Sequence, residues 1–254
     1  MRKAHPLSTL AVLFVSGVAA YAQRPLRIAA AADLQPVLPA ILDQFTAQTG
    51  IHTEASFKSS ATLATAIING APFDLFLAAD LSFPQRVIAA GLSEESAPTP
   101  YARGTLVLWT RNDSAVHQLS MEALGSPGLK SIAIANPDHA PYGRAAEAAL
   151  QHVGLYEKVK TKLAIAENIA QTAQYVSSGN AEIGLISLTS ALTPALRNTG
   201  HYVLVPRQDY LPIVQGAIVV KHSQNSQAAH RLLDFLSSAA VARQLEAGGL
   251  APAH

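Results

Sequence analysis

The apolar residues of the chain fall into short runs that alternate with segments of helical periodicity. The first run, Ile28 to Ala32, is continuous and stops at Asp33, as a buried strand does. Between Leu34 and Gln48 the apolar residues recur at helical spacing, and Gly50 follows as a helix terminator. The pattern therefore predicts a strand that passes through Asp33, acting as an N-cap, into a helix.

The same alternation continues along the rest of the chain. It predicts strands at 51–57, 73–78, 105–110, 131–135, 162–166, 183–186, 202–205 and 213–220. It predicts helices that begin at Ser59 or Ser60, near Pro84, at Tyr142, after Asn168 and near Gln227. Strands that alternate with helices are typical of mostly parallel sheets covered by helices on both faces. We therefore predict an α/β fold.

The two halves of the chain use the same order of strand, capped turn and helix, without a tandem sequence repeat. This similarity predicts two lobes. We assign residues 23–104 and 213–254 to the first lobe and 105–212 to the second. The chain would then cross between the lobes twice, near Arg103–Leu106 and near Leu211–Gln215.

Residues 1–22 have the pattern of a secretory signal. Arg2 and Lys3 precede an apolar stretch, and Ala20-Tyr21-Ala22 fits the small-x-small cleavage pattern, so we expect cleavage after Ala22. A retained membrane anchor is the alternative, but the stretch is short for a span. The sequence has no cysteine, which excludes disulfides, thiol catalysis and a lipidated cysteine. We therefore expect a soluble periplasmic protein without stable membrane insertion.

The charge balance argues against nucleic acid as a partner. The full chain has 18 basic and 17 acidic residues, and removal of the signal leaves 16 basic residues against 17 acidic ones. No run of Lys and Arg with interleaved aromatic residues appears. With 49% hydrophobic and 14% charged residues, the composition is that of a globular, core-rich protein.

Four predicted strand-to-helix junctions could bind an anion. They lie at Asp33, at Ser59-Ser60, at Tyr142-Gly143 and at Asn168-Ile169. The N-terminus of a helix presents free N–H groups and about half a positive charge, so it attracts anions. A serine before a helix is usually only a cap. The set of four on an alternating chain is what predicts a site for one small oxyanion.

Nearly all of residues 26–250 resembles the periplasmic molybdate-binding proteins of ABC importers. The resemblance rests on the segments Ala30–Leu34, Ser59–Ala64, Asn69–Asp80, Leu106–Trp109, Ile134–Pro137, Ala140–Gly143 and Glu167–Ile169. It implies a two-lobed type II periplasmic binding protein with a mostly parallel sheet in each lobe. It also implies capture of molybdate, and of tungstate, for delivery to a membrane permease. The protein would act as a monomer, without a cofactor, a bound cation or enzymatic activity.

The resemblance also implies which residues would hold the oxyanion. They are Asp33, Ser59, Ser60, Tyr142, Ile169 and, as the weakest contact, Ser187. Ser187 stands where some members of the family have a tyrosine, and Asp33 stands where Ser or Asn is common.

Asp33 is the main departure from the family pattern, because an ionised carboxylate facing a dianion is costly at low dielectric. The expected resolution turns its side chain back as an N-cap, so that only its N–H faces the ligand. The alternatives are a protonated Asp33 that donates to the oxyanion and a direct bond between Asp33 and the metal.

Three other functions remain open from the sequence. The site could take another oxyanion, such as sulfate or thiosulfate. The chain could be a hydrolase or transferase that uses Ser60, although it lacks the Gly-x-Ser-x-Gly, Walker A and His-Glu-x-x-His motifs. It could also bind a metal cation, but the expected cleft offers only Asp33 as a carboxylate.

Overall fold

The computed structural model describes residues 24–116 and 118–253, so the expected signal peptide lies outside the described residues. The strands are β1 (Leu26–Ala31), β2 (Thr53–Lys58), β3 (Leu75–Ala78), β4 (Thr99–Gly104), β5 (Leu106–Arg111), β6 (Ile132–Ala135), β7 (Leu163–Ala166), β8 (Ile183–Ser187), β9 (Gly200–Leu204) and β10 (Ile213–Val219). The helices are α1 (Leu38–Thr49), α2 (Ser60–Ile68), α3 (Ser82–Ala89), α4 (Pro141–His152), α5 (Tyr156–Val159), α6 (Ile169–Ser177), α7 (Leu188–Ala191), α8 (Pro194–Thr199), α9 (Ser226–Leu236) and α10 (Ala239–Ala247). Short 3₁₀ turns lie at Ala32–Leu34, Glu122–Gly125, Lys160–Lys162 and Arg207–Asp209.

The strands form two five-stranded sheets, one in each lobe. The first has the order β2-β1-β3-β10-β4 and the second the order β7-β6-β8-β5-β9. In the first sheet only β10 runs against its neighbours, and in the second only β5 does. Each sheet is therefore mixed but mostly parallel, as the sequence predicted.

The chain passes from the first sheet to the second between β4 and β5, and returns between β9 and β10. The predicted lobe boundaries at 104/105 and 212/213 stay a prediction.

Alternating side chains of the first sheet pack against helices on its two faces. Leu75 and Leu77 of β3 pack with α1, α9 and α10, whereas Phe76 between them packs with α2 and α3. The second sheet repeats this arrangement. In β5, Leu108 faces the core under α4, and Trp109 faces α6 and α7. Because strand side chains point alternately to the two faces, each continuous apolar run fills two cores.

The parallel registers bring the predicted site segments together. β1 ends at Ala31 opposite Lys58, the last residue of β2, so the chain leaves both strands at the same edge of the sheet. In the second lobe, β6 ends at Ala135 opposite Ala166, the last residue of β7. Helices α2, α4 and α6 therefore begin at carboxyl ends of strands, which is where α/β sheets bind ligands.

Three sequence-based predictions of elements were wrong or incomplete. Helix α1 begins at Leu38 and not near Leu34, because Pro39 lacks an N–H and fits only the first turn. Strand β4 was not predicted, since its Pro100 interrupts the pattern; it is an edge strand, where proline is tolerated. Helix α10 and the short helices α5, α7 and α8 were not predicted. No helix among the described residues is long and apolar enough to cross a membrane.

Candidate functional site

One small cavity lies where the two lobes meet. It measures about 10 Å³, which is room for roughly one water-sized sphere. Five of the six residues predicted to hold the oxyanion line it: Asp33, Ser59, Ser60, Tyr142 and Ile169. Surface hollows of about 690 and 770 Å³ lie elsewhere, and none of the six predicted residues lines either of them. The cavity between the lobes is therefore the candidate site.

Asp33 lies in the 3₁₀ turn after β1 and does not cap a helix. The residue at the N-cap of α1 is Val37, which makes no side-chain cap. The Asp33 side chain reaches across to other elements: Oδ2 accepts hydrogen bonds from Tyr142 Oη at 3.1 Å and from Gln215 Nε2. The expected N-cap is therefore wrong. The helix starts four residues later than predicted, so the carboxylate does not cap the N–H groups of its first turn.

The Asp33 carboxyl is fully buried, and one of its oxygens is unsatisfied. Oδ1 has no hydrogen-bond partner, and no Lys, Arg or His within 24–116 and 118–253 pairs with the group. Burial disfavours the charged form and raises the pKa of Asp33 from 3.8 to about 6, against the opposing effect of the bonds from Gln215 and Tyr142. Asp33 is thus poised between its two protonation states near neutral pH.

The two serines at the start of α2 have different tasks. Ser59 is the N-cap: its Oγ accepts from Thr62 N–H at 3.2 Å. Ser60 Oγ accepts from Ala79 N–H at 3.0 Å, and its hydroxyl proton has no acceptor among the described residues. Because Oγ accepts from Ala79, the hydroxyl proton remains available to donate to a ligand in the cavity. The first N–H groups of the helix have no intrahelical acceptor either.

Helix α4 brings Tyr142 to the cavity from the second lobe. Its N-cap, Ala140, makes no side-chain cap, so the N–H groups of the first turn have no side-chain acceptor at the N-cap. Gly143 lies so close to the Ala135 carbonyl that a Cβ would collide with it. Beyond the N–H predicted from the sequence, Tyr142 contributes a buried phenol. Burial and the Asp33 charge raise the pKa of that phenol well above its ordinary value, so it remains a donor.

Helix α6 offers the N–H of Ile169, its first residue. Asn168 caps it, with Oδ1 accepting from Ala170 and Gln171 N–H at 3.1 and 3.0 Å. Gln171 Oε1 accepts from Glu167 N–H at 2.7 Å, one residue before the Asn168 N–H that a capping box would use. The cap leaves the Ile169 N–H free toward the cavity.

Ser187 does not line the cavity. Its Oγ accepts from Ser190 N–H at 3.2 Å and caps α7. Thr189 stands between Ser187 and the site: Thr189 Oγ1 lies 2.9 Å from Ser187 Oγ and 2.7 Å from the Asp33 carbonyl oxygen. A direct contact from Ser187 to the ligand therefore stays a prediction that the geometry does not favour.

Sequence reasoning missed several residues around the site. Gln215, in an otherwise apolar strand, holds Asp33; a buried polar side chain in such a strand needs a partner, and this was the available signal. Lys58 lines the cavity from the end of β2 as an exposed residue.

Further contacts join the lobes beside the cavity. Arg144 pairs with Asp80 and lies 5.1 Å from the centre of the Phe83 ring, and Ala61 N–H donates to the His139 carbonyl at 3.1 Å. No sequence pattern indicates which residues meet across a cleft.

The arrangement suits the binding of a small anion. Three α-helices, α2, α4 and α6, present their N-termini to one cavity, together with the Ser60 hydroxyl. The first of the four predicted junctions is a 3₁₀ turn, so it adds no helix N-terminus. Among the described residues no three His, Asp or Glu side chains come together as a metal site.

Comparisons with known proteins agree with this geometry. Residues 26–251 match the family described as bacterial extracellular solute-binding protein. The molybdate-binding protein ModA of Azotobacter vinelandii is 34% identical over 245 residues, covering 96% of this chain and 97% of that protein. ModA of Rhodobacter capsulatus is 34% identical over 194 residues, 76% of this chain and 75% of that protein.

The solved structure of the Azotobacter vinelandii periplasmic molybdate-binding protein has the same two-lobed fold. It superposes with a TM-score of 0.83 at 29% identity, covering 89% of this chain and 98% of that one. The resemblance to the molybdate-binding proteins read from the sequence is thereby confirmed. The chain belongs to the bacterial extracellular solute-binding protein family.

Proposed function

We propose that this chain captures molybdate, and tungstate as well, in the periplasm and delivers it to the permease of an ABC importer. The observation that carries the proposal is the single cavity lined by the N-termini of α2, α4 and α6. The relatives with 34% identity are named molybdate-binding proteins, which supports the choice of oxyanion. The chain is a binding protein and not an enzyme.

The donors of the cavity match the charge of a dianion. Three helix N-termini supply about 1.5 positive charges at roughly half a charge each. Each hydrogen bond to a charged acceptor contributes about 1.5–3 kcal/mol. The proposed donors are the N–H groups of Ser60, Tyr142 and Ile169 and the Ser60 hydroxyl, and Ser59 caps the helix that carries Ser60. No bound cation or cofactor is required.

The cavity of about 10 Å³ is smaller than a tetrahedral oxyanion, so the lobes would separate to admit the ligand and then close around it less tightly than they do here. Opening would part Ser60 of the first lobe from Tyr142 and Ile169 of the second. The pair Arg144–Asp80 and the bond from Ala61 N–H to the His139 carbonyl would break and form again on closure. Sulfate, which is smaller than molybdate, would leave some donors unsatisfied in the closed site, and this would select against it.

We also propose where the protein acts and what it contacts. Export would use residues 1–22, with cleavage after Ala22. The protein would act as a monomer whose only macromolecular partner is the permease, and it would bind no nucleic acid.

Calorimetric titration with molybdate, tungstate, sulfate and phosphate tests the proposed function. We expect tight, saturable binding of molybdate and tungstate and much weaker binding of the other two. Preferential binding of sulfate would transfer the function to that oxyanion. The absence of a heat of binding with molybdate and tungstate would overturn the proposal.

Two serine variants test the proposed donors. Ser60→Ala removes a hydroxyl whose proton has no other acceptor, so we expect molybdate to bind about 10-fold to 100-fold more weakly, as loss of one charged hydrogen bond requires. Ser187→Ala is the matched control, since Ser187 caps α7 outside the cavity, and should bind molybdate like wild type. Equal losses in the two variants would contradict the assignment of Ser60.

A further inference from the structure

Helix N-termini explain how the cavity could bind an anion, but they do not explain why the carboxylate of Asp33 lines the same cavity. Its side chain is fully buried, lines the cavity and has no cationic partner among the described residues. A carboxylate next to a dianion repels it strongly at low dielectric. Burial without a cation is also costly in the absence of the ligand. Something must remove the negative charge of Asp33 when the oxyanion binds.

The hydrogen bonds of Asp33 indicate where a proton would lie. Oδ2 already accepts from Tyr142 Oη and Gln215 Nε2, and both donors point toward it. Oδ1 is buried and has no partner. A proton on Oδ1 would leave both existing bonds intact and turn an unsatisfied acceptor into a donor beside the cavity.

Among the groups that face Asp33 from the packed elements, only the Lys58 amine is cationic, and it is exposed and makes no ion pair with Asp33. Tyr142 of α4 and Gln215 of β10 donate to its carboxyl group, and the Thr189 hydroxyl of α7 donates to its backbone carbonyl. The Tyr101 phenol of β4 and the exposed Lys58 amine at the end of β2 also lie near it. Near the cavity in sequence, Glu167 is exposed, and Arg144 is engaged by Asp80. The pKa values of both phenols are raised well above their ordinary value, so both remain neutral.

We propose that Asp33 binds the oxyanion as a neutral carboxylic acid that donates a hydrogen bond from Oδ1 to a ligand oxygen, so that each oxyanion is captured together with one proton. The proposal rests on the oxyanion-binding function above. The proton comes from solvent and is carried by Oδ1; no other bond forms or breaks. The pKa of Asp33, about 6 before binding, supports this, since a neighbouring dianion raises it further.

The coupling gives the site a defined dependence on pH. Below about pH 6 Asp33 already carries the proton, and affinity is independent of pH. Above about pH 6, the Asp33 carboxylate must take up a proton from solvent whenever an oxyanion binds. The affinity for the oxyanion therefore falls by up to about tenfold for each pH unit. The protein would therefore capture its ligand best from a mildly acidic periplasm.

Molybdate titrations of wild type and Asp33→Asn between about pH 5.5 and about pH 8.5 test the proposal. Asn keeps a carbonyl for Tyr142 and Gln215 and places an amide donor where Oδ1–H would be. We expect the Kd of wild type to rise about tenfold per pH unit above pH 6, and that of Asp33→Asn to stay flat. Glu167→Gln, which removes an exposed charge next to Asn168, should retain the wild-type slope.

Calorimetry of wild type in two buffers of different ionisation enthalpy counts the protons directly and does not depend on any variant folding. Near pH 8 we expect uptake of about one proton per molybdate, and near pH 5 almost none. A flat Kd with no proton uptake would overturn the role of Asp33 and leave molybdate binding intact. Failure of wild type to bind molybdate at any pH would instead overturn the proposed function.

Discussion

Two aspartates of the first lobe are equally inaccessible, Asp33 and Asp74, and each is 0% exposed. Asp74, just before β3, is saturated with donors. It accepts from the Arg24 guanidinium, with the nearest contact at 2.6 Å, from Arg27 N–H at 2.8 Å and from Ser223 Oγ at 2.6 Å. Asp33, just after β1, has two neutral donors on one oxygen and none on the other.

The difference separates a structural carboxylate from a functional one. Asp74 ties the segment before β1 and the segment after β10 to the sheet, and its charge is offset by Arg24. Asp33 contributes no comparable tie, and its charge is not offset. Buried charges are tolerated when they are paired and hydrogen-bonded. An unpaired one in a cavity between lobes indicates a group that changes its state when the ligand arrives.

The largest change in the free energy of unfolding is expected when Asp74, whose carboxylate is fully hydrogen-bonded, is removed. Asp74→Ala should lower the free energy of unfolding by about 3–5 kcal/mol, because it leaves Arg24 and the buried Arg27 N–H without their acceptor. Denaturant unfolding measures this. Asp43→Ala, an exposed aspartate on α1, is the control and should change stability by less than about 0.5 kcal/mol. Similar values for the two variants would remove the distinction drawn for Asp74.

The second largest effect on stability is expected for Asp33→Asn, which should stabilise the protein and do so increasingly as the pH rises. The folded pKa of Asp33, about 6, lies above its ordinary 3.8, so its contribution to stability is intact below pH 4 and is lost as pH rises through 6. The loss amounts to about 3 kcal/mol. Asp33→Asn cannot ionise, so relative to wild type it should gain about that much between pH 4 and pH 8. Unfolding curves at both pH values measure the gain, and a pH-independent difference would contradict an unpaired Asp33.

The smallest effect concerns the phenol that holds Asp33. Tyr142→Phe removes one donor to Oδ2 and keeps the ring. The cost should be about 1 kcal/mol larger at pH 8, where Asp33 is ionised, than at pH 4, since hydrogen bonds to charged groups are the stronger ones. Tyr101→Phe is the matched control, because its hydroxyl lies 3.4 Å from the Ala78 carbonyl and makes no bond to Asp33. Equal pH dependence in both variants would show that Tyr142 does not support the carboxylate.

Much of the fold was predictable, because burial leaves a periodic signature in the sequence. The starts of α2 and α6 followed from Ser59 and Asn168, whose side chains cap them as expected. Local sequence patterns did not predict elements whose formation depends on pairing with distant parts of the chain. Strand β4 contains Pro100 and pairs with β10 and, through Arg103, with Ala251, both more than a hundred residues away. Helix α10 carries Val241 and Leu245 at helical spacing after the cap Ser238, a signal that was present but short.

The sequence predicted the individual donor groups of the candidate site but not which of its residues contact one another. The sequence placed small, hydroxylated or free N–H groups at Ser60, Tyr142 and Ile169, because a helix start is a local event. It did not predict that Asp33 would turn away from its own helix. That orientation depends on Tyr142 and Gln215, which lie 109 and 182 residues further along the chain.

The alternation of strands and helices, the capped helix starts and the family resemblance can all be predicted from the order of residues. The fold was needed to show that three helix N-termini share one cavity, that Ser187 lies outside it and that Asp33 is buried without a cation. Caps and periodicity depend on neighbours within a few residues. The state of a buried charge depends on every group that folding brings around it.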